Sequence, residues 1–69
     1  MNLTEKLKIA MIKQNVNQSQ LAELTEQSQK NLSNKMTRDN FKLSEYQKLV
    51  AALGCVLEIN IVLPDGTKI

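Results

Sequence analysis

Two helix-start signals, Asn17 and Ser28, stand eleven residues apart and constrain this chain more than any other feature. Asn17 can accept a hydrogen bond from the free N–H groups of a helix start while Gln20, three residues on, reaches back to it, the reciprocal pattern of a capping box. A helix therefore begins near Gln18, with Leu21, Ala22 and Leu24 as a small apolar face. Thr25, Glu26 and Gln27 add nothing apolar to that face, so the chain turns there. Ser28 then caps a second helix in which Leu32 and Met36, four residues apart, form the only inward stripe.

The rest of the second helix is polar in an uncommon way. Surface helices mix Glu with Lys, yet Gln29, Lys30, Asn31, Ser33, Asn34 and Lys35 include no carboxylate. Side-chain amides can bond adenine bidentately and Lys can bond guanine, each good bidentate pair contributing roughly 1–3 kcal/mol of discrimination. A solvated face that lacks acids is the simplest reading of the helix alone, but the neighbouring charge weighs against it. Between Ser28 and Lys42 the cations Lys30, Lys35, Arg38 and Lys42 face a single anion, Asp39, a local charge of +3 in a chain whose total is +2. Positive charge gathered in this way is the footprint of phosphate contact.

These residues resemble the phage repressor and Cro-type (XRE-like) family of helix-turn-helix proteins. The family pattern is a polar cap, Gln, two variable residues, Leu-Ala, a turn, then Ser or Thr opening a recognition helix with an aliphatic residue four further on. Asn17, Gln18, Leu21, Ala22, Ser28 and Leu32 match it, whereas Glu26 stands where the family usually has Gly and Gln27 where it has an apolar residue. The likeness spans roughly residues 3 to 54 and, through Asn31-Leu32-Ser33-Asn34-Lys35 and Arg38-Asp39-Asn40-Phe41, extends to a subgroup of small bacterial regulators. It implies that Gln29 and Lys30 open the groove-entering end of the recognition helix, with Asn34 on the same face. It also implies that Gln18 touches phosphate and buttresses the first recognition residue, and that Ser28 serves phosphate as well as the cap. Asn31 and Ser33 complete the DNA-binding set; Lys35, Arg38 and Lys42 are assigned to phosphate on charge and position.

Sixty-nine residues make one domain near the lower limit for a self-sufficient core, so a chain without a disulfide or metal framework is expected to oligomerise. His is absent and Cys55 stands alone, which excludes ordinary zinc clusters and His-based acid–base or triad chemistry. A single Cys just after a helix end is more often a small buried hydrophobe than a nucleophile. No enzyme activity, cofactor, metal or small-molecule ligand is expected. No run approaches the ~18 apolar residues of a membrane span, and Met1-Asn2-Leu3-Thr4-Glu5-Lys6 lacks a secretory pattern, so a reduced, cytoplasmic protein is expected.

Helices are also expected on either side of the motif. From Asn2 to Gln14, Leu3, Leu7, Ala10 and Met11 share one face under a box-like cap of Asn2 and Glu5; Ile9 and Ile12 lie beside it and need a cover, either the C-terminal segment or a second subunit. From Ser44 to Leu53, Ser44 and Gln47 have capping-box spacing, Leu49, Val50 and Leu53 face inward with Tyr46 at the edge, and Gly54 ends the helix. Residues 38–42 then form a loop anchored by Phe41, and both aromatics are read as packing residues rather than base-stacking ones.

After Gly54 the apolar period shortens to two. Leu57, Ile59, Ile61 and Leu63 alternate with Val56, Glu58, Asn60 and Val62, the pattern of a half-buried strand. Pro64-Asp65-Gly66 signals a turn, but only Thr67-Lys68-Ile69 remains to return, too little to pair the strand. An unmatched edge invites a second copy in antiparallel register; a local hairpin folded over Ile9 and Ile12 is the alternative. The expected architecture is mainly α, a four-helix repressor-like helix-turn-helix domain over 1–54, with 55–69 as a C-terminal β-strand that forms a short hairpin or an intersubunit antiparallel sheet. The expected function is a homodimeric transcriptional regulator, a repressor reading a double-stranded inverted-repeat operator through the major groove. The competing class is a protein-interaction module, antitoxin-like or anti-repressor, that uses the strand edge to capture another protein.

Overall fold

The computed structural model describes residues 2–69; Met1 lies outside the described residues. Four helices follow in order, α1 over Leu3–Lys13, α2 over Gln18–Leu24, α3 over Gln29–Arg38 and α4 over Leu43–Ala52. The three caps foreseen from sequence form: Asn2 Oδ1 accepts from Glu5 N at 2.8 Å, Asn17 and Gln20 complete a reciprocal box at 2.8 and 2.9 Å, and Ser28 Oγ accepts from Asn31 N at 3.0 Å. The fourth differs. Helix α4 starts at Leu43, not Ser44, and its box is closed from one side only, with Glu45 Oε2 accepting from Lys42 N at 3.4 Å. Lysine has no acceptor to return the bond, so the carboxylate three residues on sets this start in place of the Ser44 hydroxyl.

All four helices stop by the same backbone device. An N–H two or three residues past each end bonds back five residues, from Val16 to Met11, Gln27 to Ala22, Asn40 to Lys35 and Cys55 to Val50, at 2.9–3.1 Å. This needs a left-handed residue between, supplied by Asn15, Glu26, Asp39 and Gly54 with φ of 57°, 55°, 50° and 74°. Only the last is the glycine that the motif favours. Glu26 thus reaches, without glycine, the conformation on which the turn between α2 and α3 depends.

The core draws on every helix. Leu7 and Met11 of α1, Leu21 and Ala22 of α2, Leu32 and Met36 of α3, and Tyr46, Leu49, Val50 and Leu53 from α4 and its end are buried together. Each buried Leu contributes roughly 1.5–3 kcal/mol by leaving water. Helix α2 packs on both α3 and α4. Phe41 rests on this core as expected, edge-on to Tyr46 with ring centroids 5.4 Å apart. Tyr46 is not an edge residue: it is buried, and its hydroxyl donates to the Leu3 carbonyl at 2.9 Å. Thr4, overlooked by the apolar pattern, is also buried. Its N–H and hydroxyl reach Asp39 Oδ1 at 2.8 and 2.7 Å, tying the start of α1 to the end of α3.

The tail departs from expectation. Among the described residues there is no strand; one isolated antiparallel bridge joins Val62 to Lys68. Ile61 exchanges both backbone bonds with Ile69, and Leu63 N reaches Thr67 O, around a turn closed by Gly66 N to Leu63 O. Gly66, at φ 90°, is the left-handed residue that ends this turn. Residues 56–60 make no backbone hydrogen bond to another described residue. A two-stranded ribbon alone is marginal in water. Of the stripe expected to face the helices, only Leu57 packs on the core, while Ile59, Ile61 and Leu63 stay exposed. The local hairpin does not cover α1 either: Ile12 is 79% exposed.

Candidate nucleic-acid interface

Helix α3 is held to the body by Leu32 and Met36, both buried. At about 100° per residue, the side opposite them is formed by Lys30, Asn34 and Arg38, all exposed. Asn34 therefore shares its face with Lys30 and not with Gln29, which lies on the opening rim of the helix beside Ser28; both are exposed. Ser33 is exposed on the flank. Asn31 is exposed but already engaged, donating to Gln27 Oε1 at 3.1 Å, while Gln27 Nε2 donates to Thr25 Oγ1 at 2.8 Å. The polar Gln27 thus closes the turn by hydrogen bonding. Gln18 sits half-buried in the first turn of α2.

The cations divide into two kinds. Lys35 is half-buried and pairs with Glu45 of α4 at 3.1 Å, and this contact, helped by the Lys42 N–H, holds the Glu45 carboxyl below the usual carboxylate range. Lys30, Arg38 and Lys42 are exposed and lie outside any ion pair among the described residues. An open groove of about 340 Å³ runs between the second half of α3 and the start of α4, with Asn34, Arg38, Asn40 and Lys42 on its walls and the Lys35–Glu45 pair within it.

Sequence reasoning missed two acidic groups here, in opposite senses. Asp39 was counted against the patch, yet its carboxylate turns toward Thr4 on α1. Glu45 lay beyond the counted stretch and neutralises Lys35. Capping-box spacing from residue 42 to Glu45 was the available signal for the second; nothing in the sequence marks the pairing of Thr4 with Asp39.

The other expected residues, Val56, Leu57, Glu58, Ile59, Asn60, Ile61, Val62 and Leu63, form no part of this surface. All but the half-buried Leu57 are exposed on the tail. Among the described residues no group of acidic, His or Cys side chains could hold a metal ion, and no helix is long and apolar enough to cross a membrane. The chain matches no family model, no curated protein and no solved structure.

Proposed function

We propose that this chain is a sequence-specific double-stranded DNA-binding regulator of the repressor and Cro type, with α2 and α3 as its helix-turn-helix and α3 as the helix that enters the major groove. The observation that carries this reading is the outer face of α3, where Lys30, Asn34 and Arg38 stand opposite the buried Leu32 and Met36 with no carboxylate among them. Lys30 and Asn34, with Gln29 at the rim, are the groups matched to base edges. Arg38 and Lys42, beside the groove toward α4, are matched to the phosphate backbone, with Gln18 and Ser28 on the other side of the helix start. Lys35 contributes less, because Glu45 already neutralises it. Two copies acting together would read an inverted repeat and regulate by occupying a promoter.

The test separates base from backbone contacts. Lys30→Ala or Asn34→Ala is expected to weaken binding to a preferred duplex by roughly 1–3 kcal/mol, with little change on random duplex. Arg38→Ala or Lys42→Ala is expected to weaken both alike and to lower the log–log salt slope by about one. Equal losses on both duplexes for Lys30 and Asn34 variants would reduce α3 to a non-specific phosphate contact.

A second reading draws on the exposed tail. Its free backbone edge would suit capture of a strand from another protein, and such a complex would lack the steep salt dependence of DNA binding.

A further inference from the structure

The groove between α3 and α4 is lined by three cations, Lys35, Arg38 and Lys42, and by one acid, Glu45. That carboxylate is engaged at both oxygens. Oε1 meets Lys35 Nζ at 3.1 Å, and Oε2 accepts from Lys42 N at 3.4 Å. An ammonium on α3 and a backbone N–H at the start of α4 thus converge on one anionic group. Both are kinds of donor that proteins use to hold nucleic-acid phosphate.

The pair stands beside the surface assigned to the DNA backbone. Lys35 precedes Arg38 by three residues, so the two are neighbours on the helix, yet Arg38 is exposed and Lys35 keeps only 25% of its side-chain surface. Glu45 remains ionised through the neutral range, because the Lys35 contact, helped by the Lys42 N–H, holds its carboxyl below the ordinary value. The fold asks little of that charge: the start of α4 needs an oxygen to accept from Lys42 N, and an amide supplies one as well as a carboxylate.

We propose that Glu45 limits the affinity of this surface, its carboxylate taking the place of a DNA phosphate at Lys35 and keeping that lysine out of the backbone contacts. The proposal rests on the DNA-binding reading above and deepens it. Base contacts from α3 set where the chain binds, and Glu45 sets how tightly it holds any duplex.

Duplex affinity measured against salt concentration tests this. Glu45→Gln removes the charge and keeps the acceptor for Lys42 N; Glu45→Ser is carried alongside as a second neutral replacement, and helical circular dichroism checks the fold of each. Freed Lys35 adds one phosphate contact, so either variant is expected to steepen the log–log salt slope by about one. At ~0.1 M salt that corresponds to binding up to about eightfold tighter, on preferred and random duplex alike. Combining Glu45→Gln with Lys35→Ala is expected to return the slope to that of the unsubstituted protein. Glu23→Gln, at an exposed position of α2 outside the groove, removes the same charge and is expected to leave the slope unchanged.

An unchanged slope in the folded Glu45 variants would overturn the proposal and leave the DNA reading standing. So would a gain that survives Lys35→Ala, which would show that another group had been freed, or an equal gain from Glu23→Gln, which would trace the effect to net charge. Absence of salt-dependent binding by the unsubstituted protein would instead overturn the DNA reading itself.

Discussion

The helical body and the tail carry similar aliphatic side chains in opposite circumstances. Leu7, Leu21, Leu32 and Leu49 of the body are at most 1% exposed, whereas Val56, Ile59 and Ile61 of the tail are 58–85% exposed. The difference lies in where each element finds its hydrogen bonds. A helix closes its own backbone bonds and asks its neighbours only for apolar cover. A strand needs another strand, and residues 56–60 have no backbone hydrogen-bond partner among the described residues.

The largest expected effect tests that contrast. Leu32→Ala is expected to destabilise the dilute protein by about 2–5 kcal/mol in a thermal or denaturant melt, while Ile61→Ala changes it by less than about 0.5 kcal/mol. Comparable losses would mean that the tail is packed against the body in the single chain.

Tyr46 sharpens the comparison through pH. Burial, and then the nearby Asp39 charge, push its hydroxyl pKa above the usual 10.0. Folding therefore favours the protonated phenol: its contribution is complete below about pH 10 and is lost as pH rises through the folded-state value. Since Tyr46 is the single tyrosine and Trp is absent, ultraviolet absorbance follows this one group. The expected result is ionisation displaced to high pH and coincident with loss of helical circular dichroism. Titration at the ordinary value with the helices intact would show the ring to be solvated.

The smallest effect concerns turns. Three of the four left-handed helix ends in the body are not glycine, and each is spanned by the backbone bond that closes its helix. A non-glycine residue in that conformation costs roughly 1–2 kcal/mol, partly offset by the extra freedom glycine has when unfolded. Glu26→Gly is accordingly expected to stabilise the body by less than about 1 kcal/mol, raising its melting temperature by a few degrees. A fall would show that the Glu26 side chain contributes to the turn.

These differences also mark what could be read from sequence. Helix starts and apolar stripes are encoded within three to four residues, so Asn2, Asn17 and Ser28, the buried Leu21 and Ala22 of α2 and the buried Leu32 and Met36 of α3 were legible, whereas Leu24, expected on the same face of α2, is 58% exposed. Lys42 as a cap was not, because two overlapping spacings, 42 with 45 and 44 with 47, competed for the same start. The bonds between Thr4 and Asp39 join residues 35 apart, and the Lys35–Glu45 pair joins neighbouring helices; only the folded arrangement brings either together. The candidate site was legible as a composition of one helix, without the sorting that sets Lys30, Asn34 and Arg38 on one face and ties Asn31 to Gln27. The alternating pattern of the tail was visible, but a strand's partner is not written within the strand.

In the proposed function, α3 reads DNA bases and two copies act together on one duplex. Selection of bound duplexes from a random-sequence pool tests it most directly. Enrichment of an inverted repeat whose half-sites lie about 34 Å apart, one helical turn, is expected, with binding that weakens steeply as salt rises. A pool that enriches no common sequence would contradict it.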